Sequence, residues 1–207
     1  MKTKGAVLWG LGQEWSIEEI EIGDPVKDEV KIQMEASGMC HSDHHLVTGD
    51  IPMAGFPVLG GHEGAGIVLE VGPGVTDFKP GDRVALEPGI PDMTSRASRL
   101  GMYNVDPAVR FFATPPIDGC LCEEVIHPAA FTYHLPDSMS FGEGALLEPT
   151  AVGMWAATKA RIKPGDVCVV TGSGTVGMLT ASAALAGGAS KVLVSDVSSI
   201  KLGIIGQ

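Results

Sequence analysis

Between Cys40 and Glu63 the chain reads CHSDHHLVTGDIPMAGFPVLGGHE, which gathers one thiol, four imidazoles (His41, His44, His45, His62) and three carboxylates (Asp43, Asp50, Glu63). Pro and Gly interrupt the stretch, so it must fold back on itself. Thiolate sulfur, imidazole nitrogen and carboxylate oxygen are the donors zinc accepts, and a catalytic zinc keeps three protein ligands with one position open for water or substrate. Cys40, His62 and Glu63 would supply those three. Taken singly, a Cys beside a His or a Gly-His-Glu triplet is more often packing than ligation, so the argument rests on the whole stretch.

A second concentration of chemistry lies near the end of the chain. VCVV (167–170) is followed at once by TGSGTVGM, a small-residue stretch and then KVLVSD. This is strand, G-x-G-x-x-G, helix, strand and acid. In that order Gly172 permits the tight turn, Gly174 the close approach of a pyrophosphate and Gly177 the packing of helix on strand, with phosphate over the helix N-terminus. Thr175 and Val176, inside the motif, join the cofactor-binding set. Asp196 would bond the ribose hydroxyls and repel a 2′-phosphate, which favours NAD over NADP. Lys201 is a candidate contact to the adenosine end.

These residues need elements to position them. GAVLW (5–9), WSIEEIEI and EVKIQMEASGMC alternate apolar and polar residues and predict strands. Glycines 60, 61, 64, 66, 72 and 74 are too dense for a helix and suit a bent strand with close backbone approaches. GDRVALE adds a further strand. At SFGEGALLEPTAVGMWAATKA the apolar spacing changes to three and four behind Ser140 and Glu143, a capping-box pattern that predicts helix.

The chain has 207 residues, 44% of them hydrophobic, enough to bury a sizeable core in one large or two small domains. A net charge of -11 and a pI near 4.8 exclude nucleic acid and anionic membrane surfaces as natural partners. MKTKGAVLWG lacks the apolar core of a signal peptide and no later stretch is long enough to span a bilayer, so the expected location is the cytoplasm. The four cysteines, Cys40, Cys120, Cys122 and Cys168, have no disulfide spacing, which fits a reducing compartment. Cys120 and Cys122 are read as structural.

CHSD together with GGHEGAGIVLEVGPGVTDFKPGDRV resembles the zinc-dependent medium-chain dehydrogenase/reductase family, the alcohol and polyol dehydrogenases. The resemblance implies a mixed β and α/β architecture: a GroES-like β-barrel catalytic domain over 1–149, then the start of a Rossmann domain, a doubly wound parallel sheet, over 150–207. Only two of its usual six strands can be placed, so the chain reads as a truncated piece. Ser42 and His45 fall where the family passes the substrate proton, through the cofactor ribose, to solvent. An imidazole suits that task because it titrates near neutral pH. Asp43 would orient His62. His41 would contact a phosphate, and His44 would be solvated. In ALLEP, Glu148 stands where polyol enzymes place a group beside the catalytic metal, so the third ligand is Glu63 or Glu148.

Many relatives carry four cysteines for a structural zinc in the region 88–116. This chain has PDMTSRASRLGMYNVDPAVR there, so one catalytic zinc and no structural zinc are expected. From about Arg83 the wording, including EPGIPD, LGMYNVDPAVRFFATPP and HPAAFTYHLPD, resembles sorbitol and xylitol dehydrogenases. Phe111 and Phe112 are candidates to line the substrate pocket. The head looks closer to bacterial alcohol dehydrogenases, and Leu46 stands where polyol enzymes carry an aromatic, as in a chimeric assembly. The implied activity is hydride transfer from a polyol such as xylitol or sorbitol to NAD. The same chemistry on simple alcohols and a non-catalytic binding fragment are the alternatives. Relatives form dimers and tetramers, so a homo-oligomer is expected of the full-length protein.

Overall fold

Alternating burial builds the first strand. In β1 (Lys2–Leu8) Thr3, Gly5 and Val7 turn inward while Lys2 and Lys4 reach solvent. After it come β2 (Ser16–Glu21), β3 (Glu29–Gly38), helix α1 (His41–Thr48), β4 (Val58–Leu59), β5 (Glu63–Val71), β6 (Arg83–Leu86) and β7 (Gly89–Ile90). There follow the short helix α2 (Arg96–Arg99), β8 (Arg110–Phe111), β9 (Glu124–Pro128), β10 (Thr132–His134) and α3 (Phe141–Ala145). The structure is a computed structural model that describes residues 1–52 and 55–205. Met53 and Ala54, inside the Cys40 to Glu63 stretch, lie outside the described residues. Two units separate, Met1–Leu146 and Leu147–Gln207, so the second begins with the first residue of a helix, where the sequence had suggested 149/150.

In the first unit one sheet has the order β2-β1-β4 and a second the order β10-β6-β5-β3-β9. Residues 119–123 tie the two together. The Ala6 amide donates to the Leu121 carbonyl (2.8 Å) and the Glu123 amide to the Lys4 carbonyl (2.8 Å), while the Met34 amide donates to the Glu123 carbonyl (2.9 Å). Cys120 and Cys122 therefore sit in the segment that joins the sheets into one barrel, and Cys120 is fully buried with Val30, Ile32, Val68, Val84, Leu86, Phe112 and Val125. That is a structural setting. Burial pushes both thiols up to about 12, which makes them poor nucleophiles.

The lobe from β7 to β8 is gathered by a carboxylate. Asp106, 2% exposed, accepts from the Asp92 amide at 2.6 Å and the Ala108 amide at 3.3 Å.

The second unit contains α4 (Leu147–Lys159), β11 (Val167–Thr171), α5 (Thr175–Ala186), β12 (Lys191–Ser195) and α6 (Ser199–Ile205). β11 and β12 pair in parallel, Val167 opposite Lys191 and Thr171 opposite Ser195, with α5 as the crossover. Cys168, Val170, Val192 and Val194 are half-buried, whereas Val167, Val169 and Leu193 on the other face are exposed. Helices α4 and α5 approach closely at Gly153, where a Cβ would meet the backbone of Leu179 and Thr180. No helix among the described residues is long and apolar enough to cross a membrane.

Candidate metal centre and dinucleotide cradle

Residues far apart in sequence meet because β3 and β5 are antiparallel neighbours with Gly38 opposite Glu63. β3 ends just before Cys40, the residue that opens α1, and β5 begins at Glu63 with His62 before it. One donor atom each from Cys40, His62 and Glu63 lies within 4.8 Å of the others, and this is the one three-donor group found among the described residues. His62 is 9% and Glu63 8% exposed. Burial pushes the Glu63 carboxyl above its ordinary range; the His62 ring opposes that rise, the Asp43 carboxylate adds to it and the Cys40 thiol opposes it. A soft thiolate, an imidazole and a carboxylate with little water suit zinc, whose charge would supply what the buried carboxylate lacks.

Asp43, 2% exposed, frames this group in a way the sequence did not suggest. Its Oδ2 accepts from the Cys40 amide (2.9 Å) and its Oδ1 from the Gly61 amide (3.1 Å), so its bonds run to backbone beside two donors and not to the His62 ring. Gly61 has φ +86°, and a Cβ there would strike Leu121. Only glycine permits that path into His62.

Helix α1 was also unforeseen. It carries half-buried Ser42, places His41 and His44 in solvent, and holds His45 with Nδ1 3.1 Å from Asp50 Oδ2. The adjacent phenylalanines part company. The Phe111 ring lies 5.7 Å from the His62 ring, whereas Phe112 is buried against His127 at 4.8 Å. Leu46 is buried with Leu8, Val58 and Ala113, so it is a packing residue. Glu148 belongs to the second unit, in the first turn of α4.

The glycine motif builds a cradle at the head of α5. Gly172 has φ +99°, and a Cβ on Gly177 would collide with the Gly172 carbonyl. Gly174 is the N-cap of α5 with no side chain capping it, and a Cβ built there would have open space around it. The first-turn amides, among them those of Thr175 and Val176, are thus left for an anion, as a bound pyrophosphate requires. Asp196 Oδ2 accepts from the Ser173 amide at 2.7 Å and Oδ1 from the Ser198 amide at 2.8 Å, and these bonds hold its carboxyl below the usual range. Asp196 therefore shapes the turn as well, and its remaining lone pairs can meet sugar hydroxyls. The Lys201 amide faces Ser198 Oγ at 3.4 Å, and its charge adds to the lowering at Asp196.

Known proteins resemble this chain along nearly its whole length. A D-xylulose reductase of Morganella morganii is 52% identical over 209 residues, 98% of this chain and 60% of that protein. Alcohol dehydrogenase B of Mycobacterium tuberculosis is 44% identical over 218 residues, 95% of this chain and 58% of its own. A crystal structure of an oxidoreductase of unknown specificity from Escherichia coli superposes with a TM-score of 0.94 at 42% identity, covering 100% of this chain and 61% of that one. This chain thus spans about six tenths of the length of these relatives. The model of the alcohol dehydrogenase GroES-like domain matches residues 26–137, more than half of the sequence, and so this chain belongs to the alcohol dehydrogenase family that carries that domain.

Proposed function

We propose that this chain is the zinc-binding and first nucleotide-binding part of a dehydrogenase that moves a hydride from a secondary alcohol of a polyol to NAD, giving the ketose. The observation that carries the reading is the convergence of the Cys40, His62 and Glu63 donors within 4.8 Å. The D-xylulose reductase relative supports the polyol class, since reduction of a ketose is the reverse of that oxidation. The alcohol dehydrogenase relative supports the second reading, simple primary or secondary alcohols.

Zinc held here supplies a Lewis acid for the alcohol oxygen, and the nicotinamide supplies the hydride acceptor. Cys40 and His62 hold the metal with Glu63 as third donor, Glu148 being the alternative. Ser42 Oγ takes the hydroxyl proton and His45 delivers it to solvent, its Nδ1 steadied by Asp50. Phe111 beside His62 walls the substrate side against water. Gly172, Gly174, Thr175, Val176 and Gly177 receive the pyrophosphate, Asp196 the ribose hydroxyls and Lys201 the adenosine end. Asp196 also disfavours a 2′-phosphate, which assigns NAD over NADP. The protein works in the cytoplasm as a homo-oligomer.

Metal analysis is expected to find about one zinc per chain, lost in Cys40→Ala and in His62→Ala. Glu63→Gln and Glu148→Gln, compared for zinc retention, separate the two candidates for the third ligand. In assays of the full-length protein with NAD and NADP, rates on xylitol and sorbitol should exceed those on ethanol and benzyl alcohol. Turnover confined to the monohydric alcohols would reverse the choice between the two readings.

A further inference from the structure

Inside the glycine motif one polar side chain is buried without a partner. Ser173 is 1% exposed, and its Oγ makes no hydrogen bond among the described residues. A buried hydroxyl left in that state costs stability that an alanine of nearly the same shape would not. Its presence calls for a task close at hand.

The turn shows what lies beside it. Past the ends of β11 and β12 the ladder runs on by one bond, from the Gly172 amide to the Ser195 carbonyl at 2.7 Å. At the next position the Asp196 carboxylate stands in for a backbone carbonyl, and its Oδ2 accepts from the Ser173 amide at 2.7 Å. Its Oδ1 accepts from the Ser198 amide at 2.8 Å. These two amides are the main causes that hold the Asp196 carboxyl below its ordinary range, and the Ser173 hydroxyl and the Lys201 charge add to them. Ser173 therefore acts on Asp196 twice, through an amide that any residue but proline would supply and through an oxygen that only its side chain brings.

Burial decides the manner of that action. A side chain so enclosed cannot meet a dinucleotide from solvent, so it works through Asp196 and is a positioning residue. A carboxylate accepts about four hydrogen bonds. With two amides and one hydroxyl in place, a fixed face remains for the ribose hydroxyls. A carboxylate free to turn would bond those hydroxyls less well, and it would also swing away from a 2′-phosphate that it otherwise repels.

We propose that Ser173 determines cofactor specificity in the dinucleotide cradle: its buried hydroxyl donates to Asp196 and holds that carboxylate toward the ribose, so that NAD is admitted over NADP. This role rests on the reading of the glycine motif as the cradle of that cofactor.

Isothermal titration calorimetry of NAD and of NADP against the full-length protein, with thermal melting of the nucleotide-free protein alongside, tests the role. Ser173→Ala is expected to weaken NAD by about fivefold, to leave NADP within about twofold or tighter, and to melt at the parent temperature or above. In an Asp196→Ala background the same substitution should change the ratio of the two affinities by less than about twofold, because no carboxylate remains to be held. A ratio that Ser173→Ala leaves unchanged, equal weakening of both nucleotides, or the same effect with and without Asp196 would overturn the role and leave the cofactor reading standing. A parent that binds neither nucleotide, or that prefers NADP, overturns the cofactor reading and the role with it.

Discussion

Asp43 concentrates most of the order around the candidate metal centre in one side chain. Its two oxygens receive the amides of Cys40 and Gly61, so two separate backbone stretches are located relative to one carboxylate. Asparagine at this position can offer its oxygen to one amide only and turns an N–H toward the other. A buried donor left unpaired costs about 1–3 kcal/mol. Asp43→Asn is therefore expected to lose about that much stability in urea denaturation and to bind zinc more weakly. Unchanged values for both would remove Asp43 from its place as the frame. That Cys40, His62 and Glu63 come within reach of one another was foreshadowed by their residue types, because few residue types ligate zinc. The partners of Asp43 were not, since they depend on the loop path that a positive φ at Gly61 sets. Phe111 and Phe112 were likewise indistinguishable as letters; the two-residue strand β8 and the burial beyond it send one ring to His62 and the other to His127.

Where strands β3 and β5 pair, the glycines decide how close the partners come. A Cβ on Gly38 would fall on the Glu63 carboxylate, a flexible end that can move aside, whereas a Cβ on Gly66 would fall on the Gln33 carbonyl, which cannot. Gly38→Ala is expected to keep the fold and lower zinc affinity by about tenfold through displacement of Glu63. Gly66→Ala should instead reduce soluble, folded protein. Thermal melting alongside a zinc competition assay separates the two, and equal effects in both assays for both variants would refute the distinction. The β-strands were readable because alternation survives in β1 and β3 even where glycines follow. The capping box was readable too: the Glu143 amide donates to Ser140 Oγ at 3.2 Å and the Ser140 amide to Glu143 Oε2 at 2.7 Å. Helix α1 was not, for only Asp43 and Leu46 are buried along it and no apolar stripe marks it. Its end is set by Gly49 at φ +81°, a left-handed cap.

Acid is expected to weaken the first unit as a whole, through His127. The side chain is fully buried against Phe112, with Nε2 on the Glu87 carbonyl at 2.9 Å, and burial pushes its imidazole down from 6.5 to about 4. The folded chain thus keeps this ring neutral where the unfolded chain would protonate it. Stability from this source is complete above pH 6.5 and falls as the pH drops toward about 4, by about 3 kcal/mol in all. His127→Gln should flatten that part of the profile in urea melts taken from pH 7 to pH 4, and an unchanged slope would assign the acid loss to other groups. The order of the two units was legible from the change of period near Ser140 and from the glycine motif, each a local signal. The joining of the two sheets through 119–123 was not, because the hydrogen bonds of Leu121 and Glu123 with Lys4, Ala6 and Met34 link residues 89 to 119 positions apart. The lobe between β7 and β8 takes its shape from Asp106, and Cys120 and Cys122 stay protonated inside the barrel. Peroxide that would dismantle a knot of thiolates therefore finds no thiol in that lobe, and its targets in the first unit are the Cys40 sulfur and the exposed thioethers of Met1, Met39, Met93 and Met102.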